Sequence, residues 1–391
     1  MQKSYLFISN GNKPTREESE NMEPVKLNNF SRWPVEAALE RGYKVYMGTN
    51  RKYADQLKSA DGYDITFYNS CTYRSIFAIK DNWQAYKNLC ALLKAHPEIE
   101  FIHCNTPLGG LMGRICGKRY GVKKVIYTVH GFHFFKGAPL FNRTILKWME
   151  QLLAHWTDAI LTMNQEDYEA AQKMHFRNHG KVYKIPGVGV DTKAFDGVDV
   201  SRAAMRKVLG LPQDAVMAIA MGDIVPRKNY KSAIEAIALA NRPNLHYIIC
   251  GRGSQIEELE KYAKSLGIGN QIHFLGFRSD IKELASASDL FLFASLQEGL
   301  PRSTMEAMCA GLPCVVSEIR GHVDLIEQEQ GGLLAPVHDV EAFAKAIQRI
   351  VDDGDFRKRM GAIAKERVKA FDSEVVKKRI GEIYDDILMD M

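Results

Sequence analysis

Short apolar segments alternate with longer helical patterns along the whole chain of 391 residues. Apolar runs of about five residues are typical of buried strands, and the helical patterns between them are long enough to serve as crossovers. Such alternation requires parallel sheets with right-handed crossovers, so the sequence predicts two doubly wound α/β domains in tandem. The expected strands are 4–9, 44–48, 64–68, 100–104, 124–128 and 159–163 in the front half, and 216–221, 245–250, 271–275, 289–294, 313–317 and 332–335 in the back half.

A Gly- and Pro-rich stretch at residues 185–190 separates the two halves. The predicted domains are residues 1–190 and 191–371, and a final helix lies within residues 372–391. This helix either completes the second domain or crosses back to pack on the first, and the sequence leaves both paths open. Ligands of parallel sheets bind at the carboxyl ends of the strands, so two facing sheets would hold a ligand in the cleft between the domains.

Apolar runs and cysteine spacing restrict the class of protein. No apolar run reaches the roughly 18 residues of a spanning helix, and the apolar part of the first strand is too short for a signal peptide. We therefore expect a cytoplasmic enzyme. The seven cysteines include no Cys-x-x-Cys pair and the eleven histidines show no zinc-type spacing, so we expect reduced core thiols and no metal site.

Positive charge is concentrated in the front half of the chain. Residues 1–193 contain 27 Lys and Arg against 18 Asp and Glu, whereas residues 194–391 contain 25 against 29. The basic half is either an ordinary solvated surface or faces an anionic partner such as phosphorylated lipid at a membrane. Both readings are open from charge alone, and we expect no nucleic-acid partner.

Two glutamates, Glu298 and Glu306, stand eight residues apart in the back half. A Gly-Leu-Pro turn follows the first, and good helix formers begin near Ser303, so Glu298 is expected in a loop and Glu306 one turn inside a helix. Unpaired N–H groups at a helix start suit a phosphate, and carboxylates beside them accept hydrogen bonds from hydroxyls. The spacing therefore indicates a ligand with both phosphates and hydroxyls, and a nucleotide-sugar has both.

Three other segments of the back half follow strands that end at the same edge of the predicted sheet. Arg227 and Lys228 form a basic pair that can hold a diphosphate or can simply be solvated. Gly251 allows close backbone approach, although a bare Gly-x-Gly is a weak signal. Phe277 and Arg278 could offer an apolar edge and polar groups to a base.

Together these motifs resemble the retaining glycosyltransferases of family 4, which have the GT-B fold of two Rossmann-like domains facing across a cleft. The resemblance extends over essentially the whole chain. Its front-half segments are similar to a bacterial branch that builds capsule and exopolysaccharide repeats. Residues 320–326 are similar to the same branch. The segments that carry it are residues 127–139, 164–168, 276–281, 298–306, 310–316 and 320–326, together with Lys228.

The resemblance implies a donor role for each matched residue around the two glutamates. Glu306 would bind the ribose hydroxyls of the nucleotide, and Glu298 would contact the hydroxyls of the donor sugar. Gly299 and Leu300 would present backbone N–H groups near the diphosphate, and Ser303 at the helix start is counted with them. Gly251, Phe277 and Arg278 complete the expected donor side.

The resemblance also implies which groups take part in the chemistry. Lys228, aided by Arg227, would neutralise the charge on the departing diphosphate, and His130 would lie near the transferring sugar; with Glu298 they are the expected catalytic residues. The acceptor hydroxyl would attack on the same face through an oxocarbenium-like transition state, without a metal or a cofactor beyond the UDP-sugar donor. Many family members carry an Arg five residues before the Lys, where this chain has Asp223.

Five front-half residues are candidates for the acceptor side. Asn10 and Gly11 lie in a first loop that lacks the family's usual double glycine, which weakens them as ligands of the donor phosphate. His103 and Asn105 lie at the end of a predicted strand. For both residues, a structural role and a role in acceptor binding are equally well supported. His133 lies close to His130 in sequence. The polar segment 16–23 that continues the first loop is expected to be mobile.

The hypothesis from sequence is transfer of a hexose or N-acetylhexosamine from a UDP-sugar to a saccharide on undecaprenyl diphosphate, for capsule or exopolysaccharide. The enzyme would touch the anionic inner membrane face through its basic front half, with residues 114–124 as one basic surface. A nucleotide-sugar epimerase of the same architecture and a non-catalytic assembly subunit are the alternatives. A dinucleotide oxidoreductase is poorly supported, because no Gly-x-Gly-x-x-Gly follows the first strand.

Overall fold

The computed structural model of the protein describes residues 2–75, 77–198 and 200–389. The chain divides into two compact units, Met1–Val188 with Glu374–Met391, and Gly189–Ser373. Each unit contains one seven-stranded sheet, and all of the strand pairs run parallel. The prediction of two doubly wound α/β domains is confirmed.

The first unit is built around β1 and β4, the central strands of its sheet. Every residue of β1 is buried because helices cover both faces of a parallel sheet, which explains its continuous apolar run. The sheet has the order β3-β2-β1-β4-β5-β6-β7, and the strand order reverses between β1 and β4. The elements are β1 Ser4–Ile8, α1 Arg16–Glu20, α2 Arg32–Glu40, β2 Lys44–Thr49, β3 Ile65–Asn69, α3 Ile79–Ala95, β4 Ile99–Asn105, α4 Pro107–Arg119, β5 Lys124–Val129, α5 Lys147–Ala154, β6 Ala159–Thr162, α6 Gln165–Gln172 and β7 Lys181–Lys184.

Helix α4 lies unusually close to its sheet because glycines face the strands. A Cβ atom on Gly113 would come within 2.2 Å of the Cys104 sulfur, and one on Gly110 within 2.5 Å of the Tyr127 ring. Any larger side chain at these positions would push the helix outward. The glycines therefore fix the height of α4 above β4 and β5, and with it the loop at the end of β4.

The second unit repeats the scheme with the order β10-β9-β8-β11-β12-β14-β13. Its strand order reverses between β8 and β11, the place where ligands of doubly wound sheets bind. The elements are α7 Arg202–Val208, β8 Val216–Met221, α8 Tyr230–Ala240, β9 Leu245–Cys250, α9 Ile256–Ser265, β10 Ile272–Gly276, α10 Ile281–Ala287, β11 Leu290–Phe293, α11 Arg302–Cys309, β12 Cys314–Ser317, α12 His322–Leu325, β13 Glu327–Gln328, β14 Gly331–Ala335, α13 Val340–Asp352 and α14 Gly354–Arg367.

The last helix, α15 Ser373–Met389, packs on the first unit. Its buried face includes Tyr384, whose hydroxyl lies 2.9 Å from the Tyr5 hydroxyl of β1. On its exposed side Arg41 binds the Asp385 carboxylate at 2.6 Å. Of the two paths that the sequence left open, the structure shows the return to the first unit.

Three features differ from the sequence-based expectation. The edge strands β7 and β13 were not among the expected strands. β7 has a lysine at each end and only two residues between them, so it does not form an apolar run. The polar segment 16–23, expected to be a mobile loop, contains the short helix α1. Thr15 and Glu18 form a capping box at its start, with Thr15 Oγ1 accepting from the Glu18 N–H at 3.2 Å.

Several chemical features are absent from the part of the chain that the structure describes. No helix there is long and apolar enough to cross a membrane. No group of three or more His, Cys, Asp or Glu side chains within those residues is arranged to hold a metal ion. All seven cysteines are free thiols, five of them buried.

Candidate active site

Lys228 and Glu298 form a buried ion pair at the point where the second sheet reverses its strand order. Lys228 lies in the turn after β8 and Glu298 in the loop after β11. The Lys228 Nζ donates to Glu298 Oε1 at 2.6 Å, and neither side chain is appreciably exposed. The structure thus brings together two of the three predicted catalytic residues.

Further contacts fix the Glu298 loop. The Ser295 hydroxyl donates to the same Oε1 atom at 2.7 Å, and Arg320 Nε donates to the Glu298 backbone carbonyl at 3.1 Å. Because Oε1 accepts from both Lys228 and Ser295, the carboxylate is held in one orientation. The sequence analysis did not predict that Ser295 and Arg320 support this loop. Arg320 was included only as part of the matching segment 320–326, without a role of its own.

Burial is the main influence on the Lys228 ammonium. Desolvation lowers the pKa of Lys228 from its ordinary value, and the neighbouring Glu298 carboxylate opposes that shift. The Nζ atom also lies 4.7 Å from the centre of the Phe293 ring. A buried cation with one carboxylate partner is poorly solvated, so a second anionic group brought beside it would be strongly favoured.

His322 is a further polar group of this region that the sequence did not single out as a site residue. Its Nδ1 atom lies 3.0 Å from the Ser317 carbonyl, and its buried Nε2 atom has no hydrogen-bond partner among the described residues. Burial lowers the pKa of His322 to about 4, while the charges of Glu298 and Lys228 act on it in opposite directions. The imidazole is therefore neutral at physiological pH.

Glu306 lies one turn inside α11, as the sequence predicts. Its Oε1 atom accepts from Arg302 Nε at 2.9 Å. Burial raises the pKa of the Glu306 carboxyl, and Arg302 partly offsets the shift. The helix starts after Pro301 without a side-chain cap, so its first N–H groups, including that of Ser303, receive no capping side chain.

The glycines after β9 serve close packing of two loops. A Cβ atom on Gly251 would lie 1.9 Å from the Gly222 carbonyl oxygen, and one on Gly253 would lie 1.9 Å from that of Ile224. The Gly251 N–H donates to the Gly276 carbonyl at 2.8 Å. Gly251 therefore has a structural reason to be glycine, and its N–H is engaged within the sheet.

An exposed aromatic ring follows β10. Phe277 is 69% exposed, and the Arg252 guanidinium lies 5.1 Å from its centre. Arg278 instead binds Asp280 with two hydrogen bonds. Phe277 and Arg252 thus form an open, cationic and aromatic platform. Arg252 was missed at the sequence level, although it lies within the Gly-x-Gly segment.

In the first unit His130 lies at the end of β5 beside Asn105 at the end of β4. His130 Nε2 is hydrogen-bonded to Asn105 Oδ1, and the Asn105 amide donates to the Phe30 carbonyl at 3.0 Å. The Phe30 ring meets the imidazole edge-on at 4.9 Å. Burial lowers the pKa of His130 to about 4, so the ring is neutral.

His103 does not lie on an acceptor surface. It is fully buried, its Nδ1 atom lies 2.6 Å from the Tyr384 hydroxyl, and its Nε2 atom lies 2.7 Å from the Thr128 hydroxyl. Burial lowers the pKa of His103 to about 3. Both ring nitrogens are hydrogen-bonded inside the unit, so His103 belongs to the core and not to an acceptor-binding surface, contrary to the prediction.

The first loop places its two candidates differently. The Gly11 N–H donates to the Thr72 carbonyl at 3.1 Å and is therefore engaged. The Asn10 N–H donates to the Thr106 hydroxyl at 2.9 Å, while its buried Oδ1 atom has no partner among the described residues. His133 is exposed, and its carbonyl accepts from Asn142 at 3.0 Å.

Comparisons with known proteins match both halves of the chain. The family described as Glycosyltransferase Family 4 matches residues 35–193, and the family described as Glycosyl transferases group 1 matches residues 201–367. The putative glycosyltransferase EpsD of Bacillus subtilis (strain 168) is 32% identical over 316 residues, which cover 79% of this chain and 82% of EpsD. The chain belongs to the family 4 glycosyltransferases. The resemblance to their exopolysaccharide branch is confirmed.

Two further comparisons place this family 4 glycosyltransferase among its relatives. An Escherichia coli protein named UDP-Gal:alpha-D-GlcNAc-diphosphoundecaprenol alpha-1,3-galactosyltransferase is 31% identical over 324 residues, covering 81% of this chain and 82% of that protein. The structure of Anabaena Alr3699/HepE, solved with UDP and glucose, superimposes with a TM-score of 0.76 at 18% identity and covers 98% of this chain and 100% of that chain. The fold is therefore GT-B. Relatives named as glycosyltransferases do not favour the epimerase or the non-catalytic alternative.

Proposed function

We propose that this family 4 glycosyltransferase transfers a hexose or N-acetylhexosamine from a UDP-sugar to a saccharide carried on a polyprenyl diphosphate, with retention of configuration. The observation that carries the proposal is the buried Lys228–Glu298 pair at the reversal point of the second sheet. It offers a cation for a diphosphate and a fixed carboxylate for sugar hydroxyls within one hydrogen bond of each other.

The second unit supplies the groups expected to hold the donor. We assign the ribose hydroxyls to Glu306 and the sugar hydroxyls to Glu298, with N–H groups of Gly299 and Leu300 near the diphosphate. The uncapped start of α11 lies between the two glutamates in sequence and adds the positive end of a helix dipole. The exposed Phe277 ring suits the face of a nucleobase.

The proposed chemistry depends on stabilising the leaving group. The bond between the anomeric carbon and the diphosphate oxygen breaks, and its electron pair leaves with UDP. Lys228, with Arg227 beside it, balances the developing negative charge. The acceptor hydroxyl forms the new bond on the same face and gives its proton to the departing diphosphate, which is the nearest group gaining negative charge.

A metal ion is not required by this scheme, because Lys228, Arg227 and the start of α11 already supply positive charge where the diphosphate would lie. In the first unit His130 is our candidate for contact with the transferring sugar. Its neutral ring, held by Asn105, can donate or accept a hydrogen bond without adding charge. Asp223 is exposed and is one of the charges that act on Lys228.

The acceptor and the site of action are proposed from the relatives and from charge. The Escherichia coli relative is named for a diphosphoundecaprenol-linked acceptor and a UDP-Gal donor, and the HepE structure contains UDP. The basic front half would suit an acceptor whose diphosphate lies at the cytoplasmic face of an anionic membrane. The proposed product is one repeat-unit intermediate of a capsule or exopolysaccharide.

Thermal stabilisation by a panel of UDP-, GDP- and ADP-sugars tests the donor assignment. Ligand that binds the folded state at 100 times its Kd raises the free energy of unfolding by about 2.7 kcal/mol, so a UDP-sugar should raise Tm by several degrees. The best donor is then incubated with a short saccharide on a polyprenyl diphosphate, and the anomeric configuration of the product is read by NMR. Stabilisation by GDP-sugars alone, or a product of inverted configuration, would overturn the corresponding part of the proposal.

A further inference from the structure

Five large apolar side chains are exposed together around the helical segment that follows β5. We call this set the apolar face; it consists of Leu140, Phe141, Ile145, Trp148 and Leu152. Leu140 is 75% exposed, and Phe141 and Trp148 are each 60% exposed. The last four follow one another at spacings of four, three and four residues, which is the repeat of one side of a helix. Such a stripe normally faces a core.

The opposite side of the same segment is firmly attached to the first unit. Leu153 and Ala154 of α5 are buried, and Glu150 accepts from the fully buried Arg114 of α4 at 2.7 Å. Arg114 in turn lies 4.2 Å from the centre of the Tyr127 ring and donates to the Gly110 carbonyl at 2.9 Å. The segment is therefore fixed in orientation with its apolar face turned outward.

A basic groove adjoins the apolar face. It has a volume of about 490 Å³, and its lining contains no Asp or Glu. None of its four cations forms an ion pair with another of the described residues. These cations, which we call the basic groove residues, are Lys136, Arg143, Lys147 and Lys173.

Some other cations of the first unit are neutralised by carboxylates. Lys123 binds Glu100 at 2.7 Å and Lys181 binds Asp386 at 2.9 Å. Glu166, which is not part of the lining, accepts the backbone N–H of Lys136 at 2.7 Å. The groove therefore keeps a net positive charge.

We propose that the apolar face and the basic groove residues together dock this protein on an anionic lipid bilayer. The apolar face would enter the boundary between headgroups and acyl chains, with Trp148 at that boundary, and the basic groove residues would bind lipid phosphates. A bilayer is favoured because it presents a negative surface and an apolar layer side by side. The inference rests on the proposed function in one respect, since a lipid-linked acceptor gives the docking its purpose.

Co-sedimentation with vesicles tests the docking surface on the full chain. Vesicles of phosphatidylcholine with 30 mol% phosphatidylglycerol are compared with pure phosphatidylcholine at low and high salt. The variants are Phe141→Ser with Trp148→Ser for the apolar face, and Arg143→Glu with Lys147→Glu for the groove. Matched controls are Val208→Ser, another exposed apolar residue, and Lys345→Glu, another exposed lysine, both in the second unit.

The parent protein should bind the anionic vesicles at least tenfold more tightly than the neutral ones, and each double variant should lose at least tenfold. The controls should bind like the parent, and high salt should weaken parent binding while affecting the groove variant less. Equal binding by parent and double variants, or failure of the parent to bind anionic vesicles, overturns the proposal. So does a stable soluble dimer, seen by light scattering, that Trp148→Ser dissociates.

Donor binding keeps this test separate from that of the proposed function. All the variants should retain the Tm rise caused by the best UDP-sugar, because their positions are not among the donor-binding residues. Vesicle binding without any nucleotide-sugar effect would leave the docking surface standing and remove the transferase assignment. A rise in Tm with the UDP-sugar but no vesicle binding would support the transferase assignment and overturn the docking surface.

Discussion

The Lys228 ammonium lies 2.6 Å from the Glu298 carboxylate, and both groups are buried in the second unit. Ser295 adds a second hydrogen bond to the same carboxylate oxygen. In this state the cation assigned to the diphosphate is already bound to the carboxylate assigned to the sugar. Donor binding therefore has to share or replace this contact, and the two residues cannot be treated as independent.

Lys228→Ala is expected to lower the transfer rate and the stability together. Loss of the leaving-group cation should reduce kcat by about 10²- to 10³-fold. The uncompensated buried Glu298 carboxylate should cost roughly 3–5 kcal/mol of unfolding free energy, measured by urea denaturation.

The double variant Lys228→Ala with Glu298→Gln separates these two effects. Removing both charges should restore most of the stability and none of the activity, while the Lys345→Ala control should change neither. A double variant with parental kcat would show that the pair is structural only.

Glu306→Gln is expected to weaken donor binding without destabilising the protein. Burial raises the pKa of the Glu306 carboxyl, so its charged form is disfavoured in the folded state and a neutral isostere should leave Tm unchanged or slightly higher near pH 7.5. Loss of a charge-assisted bond to a hydroxyl should cost about 1.5–3 kcal/mol of binding free energy, seen as a rise in the Kd for UDP by calorimetry. Arg302→Ala is the comparison, and an unchanged Kd for Glu306→Gln would contradict the ribose assignment.

Acid should destabilise the protein through three buried histidines. Burial lowers the pKa of His103 to about 3 and those of His130 and His322 to about 4, below the ordinary value of 6.5. The unfolded chain therefore binds protons first as the pH falls. Stability is fully present above pH 6.5 and is lost as the pH falls, down to about pH 4 for His130 and His322 and to about pH 3 for His103. The loss is up to about 1.4 kcal/mol per pH unit for each histidine.

Urea denaturation at several pH values measures this loss. His322→Gln should reduce the slope between pH 6.5 and 4.5, whereas substitution of the exposed His133 should not. An unchanged slope for both His322→Gln and His103→Gln would refute the assignment.

Tyr384→Phe is expected to destabilise the first unit. The Tyr384 hydroxyl is hydrogen-bonded to Tyr5 and His103, and its removal leaves both without that buried partner. The cost should be about 1–3 kcal/mol by urea denaturation. Val375→Ser on the exposed side of the same helix should change the free energy by less than about 0.5 kcal/mol. Similar effects of the two substitutions would show that the buried chain of hydrogen bonds contributes little.

Much of the fold was readable from the sequence because its central strands are continuous apolar runs. β8 and β9 start and end where they were expected, since both are buried along their whole length. β7 was not predicted, because an edge strand exposes half of its side chains and this one carries lysines at both ends. The helix α1 was not predicted either, because the sequence signal for it is a capping box and not an apolar pattern.

The candidate donor-side residues come from motifs, whereas contacts between residues distant in sequence could not be predicted. Glu298 and Lys228 are 70 residues apart, and the family motifs alone placed both on one ligand. Nothing in the sequence around His103 shows that Tyr384, 281 residues later, would bind its ring and keep it in the core. The unpartnered Nε2 atom of His322 likewise depends on how the loop after β12 packs.

The path of α15 has a consequence for synthesis on the ribosome. Tyr5 finds its partner Tyr384 only 379 residues later, so the first unit cannot close its core until the second has been translated. Domains commonly fold in the order in which they emerge, but here the N-terminal one must wait with Tyr5, Phe101 and His103 incompletely covered. The core of the first unit is therefore covered only when α15 has been made. A chain truncated before residue 373 would leave that apolar core exposed to chaperones and proteases.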